Sequence, residues 1–497
     1  MKREFQFLIT IAIPLIFVAA VILWLPFRYV FEFNADEGIN LIKAMMTLKG
    51  FELYSEVWSD QPPVLTAILA FVFRILGLKV NAGRLLILGF STALIGGATD
   101  YLVRRWGVLH AIFGVIALVT LPFYTMLSVS IMIGLPSLAM AMLSFVSLDR
   151  WHQSRRPGWL VASGVLLALS LFTKIWTVVL GPVFLAGILL GEQKRGGHEL
   201  KIADRLRPVF WWAVGLIPVS LFVIFVMIGP THLLQLVGVH LTAGETAEMQ
   251  AIAERHTVNS FLEDSLVLIG LSLFGIGIAV WKKAWHALYL VGWALAGYSL
   301  LAWVVVPTWF HHQLLVTIPV ALLGAIAMGT AAADIFNRLR ASKLWAWGTL
   351  PSVLILVVVV FFALERVPPT ADNFRLDLPN FAANDLSQDV DFEIVAIIGN
   401  YAERTHFLFT DRPMYAFRSG VPVSPGLAVI TQKRYSTGDP TQEQIYSILL
   451  ETKPEQVILT RFDHPAVQRY MQPRNFIRVD KSPVSRHYVM REIMDAP

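Results

Sequence analysis

The sequence predicts a polytopic α-helical membrane protein of about 11 transmembrane helices plus interfacial helices, with a small C-terminal extracytoplasmic α/β domain. Of its 497 residues, 56% are hydrophobic and 15% are charged, whereas a soluble domain carries about 25% charged residues. The mean hydropathy is +0.61. Lys and Arg concentrate in short segments between long apolar runs. These observations exclude an ordinary soluble domain.

Apolar runs give the predicted crossings, because a helix needs about 20 such residues to span the hydrocarbon core. The run Val64–Leu78 is shorter, follows Pro62-Pro63 and is interrupted by Arg74, which favours a helix lying along the membrane surface. The eleven runs read as crossings lie near 7–27, 85–103, 108–126, 133–148, 158–173, 176–190, 209–228, 265–281, 285–306, 313–333 and 344–364.

Loop charge predicts the orientation. With 64–78 at the surface, one set of loops, including Arg104-Arg105, holds 17 Lys and Arg, and the opposite set holds eight. The positive-inside rule makes the first set cytoplasmic, together with the N-terminus. The first loop, 28–84, and everything after Leu364 are then expected on the opposite side, which is called outward below.

The outward tail is predicted to form a second domain. We place the transmembrane domain at 1–366 and an extracytoplasmic α/β domain at 367–497, with Pro368-Pro369 as the linker. Period-2 and period-3.6 patterns separate strands from helices in the tail. They predict helices at Glu393–Glu403 and Gln442–Thr452, and strands at His406–Thr410, Gln456–Thr460 and His487–Arg491.

Several functional classes are disfavoured. The chain has no cysteine, which excludes disulfides, thiolate metal sites and cysteine nucleophiles. Walker, Rossmann and HExxH motifs do not occur in the sequence, so an ATP-driven pump is not predicted. The net charge of +5 comes from loops that orient the helices, so no nucleic-acid partner is expected. No metal site and no cofactor are predicted either.

Two short segments of the first loop carry the main functional signal. Asn34-Ala35-Asp36-Glu37-Gly38 follows the first apolar run, and Trp58-Ser59-Asp60-Gln61-Pro62-Pro63 follows about twenty residues later. Ionisable groups at a membrane are costly and usually functional. The segments resemble the first loop of the membrane glycosyltransferases that use polyprenyl-phosphate sugars, a family that includes protein O-mannosyltransferases and lipid A aminoarabinose transferases. Segments 164–174 (GVLLALSLFTK) and 307–319 (PTWFHHQLLVTIP) are also similar to elements of that family.

Asp36 is the candidate general base. Transfer from a phosphate-linked donor needs a base for the acceptor hydroxyl and cations for the departing phosphate. Desolvation at the lipid interface raises a carboxyl pKa toward useful basicity. Glu37 would orient Asp36 or contact the acceptor. The alternative is that both residues only cap the helix Gly38–Leu48, because acidic residues favour helix N-termini.

Cations near the outward helix ends are candidates for the donor phosphate. The resemblance implies this role for Arg84 and Lys174, helped by Gln61, although each cation could equally be an interfacial anchor. Relatives often have a lysine at the position of Gln61, and the next outward loop, 133–136, lacks their second acid. Weaker candidates for substrate binding are Asp60, Tyr54, His311, His312 and, with Glu245 in the same loop, His240.

The resulting prediction is an inverting glycosyltransferase of the bacterial inner membrane or an equivalent membrane. Its expected partners are a polyprenyl-phosphate-linked sugar, a glycan, lipid or protein acceptor, and the lipid bilayer. Two alternatives stay open: a transporter or flippase for a polyprenyl-linked lipid, and a non-catalytic subunit of surface polysaccharide assembly. A transporter predicts charged residues buried in mid-span and repeated halves, and neither is evident in the sequence.

Overall fold

A computed structural model describes residues 3–190, 202–242, 246–305, 307–341, 350–374, 382–383, 386–462, 464–480, 482 and 485–495. Helices dominate up to Phe374, and a small mixed sheet with short helices follows. The helices before the tail are α1 (Arg3–Trp24), α2 (Ala35–Leu48), α3 (Val64–Leu76), α4 (Val80–Arg105), α5 (Val108–Val119), α6 (Tyr124–Leu127), α7 (Gly134–Ser154), α8 (Gly158–Leu171), α9 (Leu180–Leu190), α10 (Ile202–Phe222), α11 (Leu233–Thr242), α12 (Ala247–Arg255), α13 (Val258–Glu263), α14 (Leu266–Trp281), α15 (Leu288–Trp303), α16 (Leu314–Arg340) and α17 (Leu350–Phe374).

A helix lies at each of the eleven predicted crossings. Five of the described helices are long and apolar enough to cross a membrane: Glu4–Trp24, Val80–Arg105, Asp204–Ile228, Leu314–Arg340 and Leu350–Asp372. The prediction of an integral membrane protein with several apolar helices is confirmed, and the full count of eleven crossings stays a prediction. The run 64–78 is helical over 13 residues, and its position along the membrane surface stays a prediction.

Burial separates the central helix from the peripheral ones. In α16, 94% of the most apolar window is buried, against 17% in α1 and 11% in α17. Small residues bring the helices together, as is usual in membrane bundles. A Cβ on Gly275 of α14 would lie 1.9 Å from the carbonyl oxygen of Leu323 in α16. The apolar outer faces of α1 and α17 are therefore the surfaces suited to contact lipid.

The tail folds around a four-stranded sheet, which confirms the small C-terminal α/β unit. Its strands are β3 (Leu408–Thr410), β4 (Gln456–Leu459), β5 (Phe476–Arg478) and β6 (Arg486–Met490), after a short hairpin of β1 (Ala382–Ala383) and β2 (Leu386–Ser387). The order is β3-β4-β6-β5, with β3 and β4 parallel and the other pairs antiparallel. The accompanying helices are α18 (Gln388–Asn400), α19 (Met414–Ser419), α20 (Gln432–Ser436), α21 (Gln442–Thr452), α22 (Pro465–Met471) and α23 (Arg491–Met494).

The prolines expected to form a linker lie inside a helix. Pro368 and Pro369 belong to α17, which continues to Phe374. Proline fixes φ near the helical value, but it removes one N–H donor and its ring crowds the carbonyl four residues earlier. The helix nevertheless continues past both prolines for one further turn. The predicted boundary at 366/367 stays a prediction, and the chain leaves the helix only after Phe374.

Candidate functional site

Helix α2 presents the two acidic residues of the first loop. Asn34 is its N-cap, with extended backbone (φ −160°, ψ 151°) and a side-chain oxygen that accepts from the Asp36 amide at 3.0 Å. Asp36 and Glu37 thus lie in the first turn, where carboxylates interact favourably with the helix dipole. Successive helical residues point about 100° apart, so the two carboxylates face different surroundings.

Glu37 faces the protein interior, where it pairs with Arg84. The Arg84 Nη2 lies 2.9 Å from the Glu37 Oε2, and both side chains are fully buried. Glu37 also accepts from the amides of Phe33 at 2.7 Å and Ile131 at 3.0 Å. Arg84 Nη1 donates to the carbonyl of Phe27 at 2.6 Å. These contacts tie the first loop to α4 and leave both charges compensated inside the fold.

Asp36 faces a cavity of about 290 Å³ between the first loop, the outward helix ends and the tail domain. Six of the eleven candidate residues lie in its wall: Asp36, Asp60, Gln61, Lys174, His311 and His312. Other described residues of the wall are Asn34, Ala35, Ile39, Asn40, Lys43, Met132, Ile133, Gly134, Trp176, Trp309, Phe310, Thr431, Gln432, Lys433 and Arg461. Residues far apart in sequence therefore line one cavity.

The other five candidates are not in this wall as the structure describes it. Glu37 and Arg84 form the buried pair just described. Tyr54 stands behind the wall, where its hydroxyl donates to the Gln61 carbonyl at 2.9 Å and supports the Asp60-Gln61 segment. His240 belongs to the backbone of α11, and its side chain lies outside what the structure describes. Glu245 also lies outside the described residues.

The charges in the cavity influence one another strongly. Burial raises the pKa of Asp36, and the nearby positive charge of Lys174 counteracts part of this rise. Burial lowers the pKa of Lys174 to about 7, against the opposing effect of Asp36. The Lys174 ammonium also lies 4.2 Å from the ring centroid of Trp176. A carboxylate of raised basicity thus stands beside a cation of lowered pKa.

Two histidines border the same space. Burial lowers the pKa of His311 well below its usual value, with further lowering from Lys174 and Lys433, so His311 is neutral at physiological pH. The His312 ring meets the Trp176 ring edge to face, with centroids 3.9 Å apart. A neutral imidazole and an indole suit contact with sugar hydroxyls and ring faces more than pairing with phosphate.

Lys43 is a cavity residue that sequence reasoning missed. It is 1% exposed and its Nζ lies 3.5 Å from the Ser59 Oγ. Burial lowers its pKa, while Asp60 and then Asp36 raise it. Lys43 follows Asp36 by seven residues, which places both on one helix face after two turns. That spacing was a signal available in the sequence.

The tail domain contributes part of the cavity wall and is fixed to the first loop. Arg412 Nε lies 2.7 Å from the Glu32 Oε2, and Arg412 also pairs with Asp391, all three side chains being at most 1% exposed. Gly38 of α2 allows the approach, because a Cβ there would lie 2.7 Å from the amide nitrogen of Met414 in α19. The contacts are long-range and left no signal in the sequence.

The described residues contain no group of three or more His, Asp and Glu side chains arranged to hold a metal ion. The side chains that line the cavity carry carboxylates, ammonium and guanidinium groups, imidazoles and indoles. A basic carboxylate with several cations nearby can remove a proton while an anion is bound.

Residues 60–227 match the model of the dolichyl-phosphate-mannose-protein mannosyltransferase family, which confirms the resemblance that the first loop predicted. No curated protein matches the chain.

Solved structures share the fold at low sequence identity. ArnT from Cupriavidus metallidurans bound to undecaprenyl phosphate is 15% identical with a TM-score of 0.60, and the match covers 98% of each chain. The apo state of the same protein is also 15% identical, with a TM-score of 0.59, and the match covers 93% of this chain and 94% of that one. The Archaeoglobus fulgidus oligosaccharyltransferase in complex with Zn and sulfate is 12% identical with a TM-score of 0.52, and the match covers 90% of this chain and 68% of that one. These likenesses establish the fold.

Proposed function

We propose that the chain, whose residues 60–227 match the dolichyl-phosphate-mannose-protein mannosyltransferase family, transfers one monosaccharide from a polyprenyl-phosphate carrier to an outward acceptor hydroxyl. The observation that carries this proposal is the shared cavity of Asp36 and Lys174. The structural relative ArnT binds undecaprenyl phosphate, a lipid of the same class. The proposed place of action is the bacterial inner membrane or its equivalent, with the N-terminus cytoplasmic.

Asp36 acts as the general base in this scheme. The acceptor oxygen attacks the anomeric carbon from the face opposite the phosphate, its proton passes to Asp36, and the bond from the anomeric carbon to the phosphate oxygen breaks. The products are an inverted glycoside and the polyprenyl phosphate. The raised pKa of Asp36 supports the assignment, because a more basic carboxylate accepts a proton more readily.

Lys174 binds the phosphate, with Gln61 as a hydrogen-bonding neighbour. Their places in the cavity wall support this role. Asp60, His311 and His312 are proposed to contact the sugar or the acceptor, and Tyr54 to position Gln61 through its carbonyl. For Glu37 and Arg84 we propose a positioning role, because their buried pair fixes the helix that carries Asp36.

An apolar groove of about 590 Å³ between α1, α5 and α17 is proposed to take the lipid tail. It is lined by residues such as Phe17, Ala20 and Thr120. Three residues after Thr120, Phe123 packs on Phe310 of the cavity wall with ring centroids 4.8 Å apart. Ala20→Phe would fill the groove, and it is expected to weaken binding of undecaprenyl phosphate more than binding of a short-chain analogue.

The decisive experiment combines lipid analysis with one substitution. Deletion of the gene should cause a polyprenyl-linked monosaccharide to accumulate, and its mass identifies the donor sugar. Asp36→Asn should reproduce the accumulation while the purified variant still binds undecaprenyl phosphate. If Asp36→Asn cells lack the accumulated lipid and retain the modified acceptor, transport or scaffolding replaces catalysis as the function.

A further inference from the structure

The tail domain places two cations in the wall of the cavity. Lys433 lies just after the start of α20, and Arg461 follows β4. Both side chains are partly buried, and burial lowers the pKa of Lys433. The charge of Arg461 acts on Asp36, and that of Lys433 acts on Lys174 and His311. The two cations therefore face the same space as the proposed base.

The segment that carries Lys433 is held against the first loop. Thr431 caps α20 by accepting from the Arg434 amide at 3.1 Å. Arg434 Nη1 donates to the Val429 carbonyl at 2.8 Å. The Arg434 guanidinium also lies 4.4 Å from the ring centroid of Trp58, two residues before Asp60. Lys433 is thus positioned by an ordered turn rather than by a free loop.

The segment that carries Arg461 is ordered by a buried carboxylate. Asp411, 1% exposed, accepts from the amides of Thr460 at 3.0 Å, Arg461 at 2.7 Å and Phe462 at 2.9 Å. Phe462 stacks on Tyr435 of α20, with centroids 4.5 Å apart and planes at 19°. The stack joins the two cation-bearing segments into one wall.

The balance of charge indicates what this wall binds. Among its described residues the cavity has four cations, Lys43, Lys174, Lys433 and Arg461, against two carboxylates, Asp36 and Asp60. Lys43 of the first loop and Lys174 after α8 equal the two carboxylates in number. The excess of two positive charges comes from the tail. Arg84 is committed to Glu37, and Gln61 brings no charge.

We infer that Lys433 and Arg461 form a phosphate-binding wall contributed by the tail domain, which holds the donor's phosphate together with Lys174. The inference rests on the proposed function. It makes the tail part of the active site, because a departing polyprenyl phosphate carries close to two negative charges near neutral pH. Charge-assisted hydrogen bonds from two further cations stabilise that leaving group.

Binding of undecaprenyl phosphate to the full-length protein in detergent tests the inference. The variants are Lys433→Gln, Arg461→Gln and the double variant. Each single change is expected to weaken the lipid's affinity roughly tenfold, and the double change by about 100-fold, as for the loss of hydrogen bonds between charged groups. The matched control is Lys453→Gln with Arg469→Gln, which removes the same charge from exposed positions of the tail. The control should bind like the wild type.

The outcomes separate the inference from the function on which it rests. Weakened binding with an unchanged Tm supports the wall. If the wild type and the double variant bind equally well, the wall is refuted while the glycosyltransferase proposal stands. If the wild type does not bind undecaprenyl phosphate, the proposed function falls, and the inference falls with it. If the double variant has a lowered Tm, the two single variants decide instead. If both single variants bind the lipid as tightly as the wild type does, the wall is also refuted.

Discussion

Asp36 and Glu37 are neighbours in one helical turn, yet they belong to different parts of the molecule. Asp36 opens onto a cavity with Lys174 in its wall. Glu37 is fully buried and accepts from Arg84 and from two backbone amides. A satisfied buried carboxylate stabilises a structure, whereas a desolvated one beside a cavity is available for proton transfer. The proposed roles of these adjacent residues therefore differ, catalytic for Asp36 and structural for Glu37.

Substitution of the cavity carboxylate should have the largest effect. Asp36→Asn keeps the shape of the side chain but removes its capacity to accept a proton. We expect turnover to fall by about 100- to 10,000-fold, the usual contribution of a general base. The Tm and the affinity for undecaprenyl phosphate should change little. The readout is single-turnover transfer with donor lipid extracted from the deletion strain. Near-normal turnover in Asp36→Asn would remove the base assignment.

Substitution of the buried carboxylate should instead damage the fold. Glu37→Gln leaves the Arg84 guanidinium buried without its counter-charge, and breaking such a pair costs about 3–5 kcal/mol. We expect a clearly lower Tm and yield, with turnover per folded molecule reduced far less than in Asp36→Asn. Glu451→Gln, at an exposed position of α21, is the control. If Glu37→Gln kept its Tm but lost turnover, the two carboxylates would share the chemistry.

The sequence predicted the helices well because the signal for each of them is local. Each apolar run became a helix, and Gln442–Thr452 was placed at its observed bounds. Strand ends moved by one or two residues, as in Leu408–Thr410 for the predicted His406–Thr410. Strand β5 was missed, since Phe476–Arg478 is only three residues long and largely unburied. The prediction that Pro368-Pro369 form a linker was wrong, because both prolines lie inside α17 and proline is compatible with helical φ.

The site was predictable only where a short motif carried it. Asp36, Asp60 and Gln61 lie within the first-loop segments, and all three reach the cavity. The partnership of Glu37 with Arg84 joins residues 47 positions apart, and no periodicity encodes such a contact. Lys433 and Arg461 approach the first loop only after the tail has folded and docked. Their role depends on tertiary contacts, which a single sequence does not display.

The pKa of Lys174 gives a pH test of the cavity. Burial lowers this pKa to about 7, so in the free protein the ammonium charge is present below pH 7 and is lost as the pH rises above it. Affinity for undecaprenyl phosphate should therefore fall above pH 7 toward that of Lys174→Gln, by about tenfold per unit while the charge is being lost. Affinity is measured by titration between pH 6 and 9.

A charge-conserving variant separates Lys174 from the titration of the lipid itself. In Lys174→Arg the guanidinium stays charged throughout this range, so the fall above pH 7 should disappear. The phosphate of the ligand titrates identically in both experiments and cancels in the ratio of the two affinities. A ratio that is independent of pH would show that Lys174 does not titrate in this range.

The smallest expected effect concerns the residue that sets the direction of both carboxylates. Asn34→Ala removes the cap on the Asp36 amide and should lower the free energy of unfolding by about 1 kcal/mol. Asn34→Ser, which restores a capping oxygen, should recover most of it. Because fraying of the first turn moves Asp36 before it disturbs the buried Glu37, turnover should fall by a few fold while the Tm drops only slightly. Paired measurement of Tm and turnover in both variants checks this order, and an unchanged turnover in Asn34→Ala would show that the cavity holds Asp36 in place without its cap.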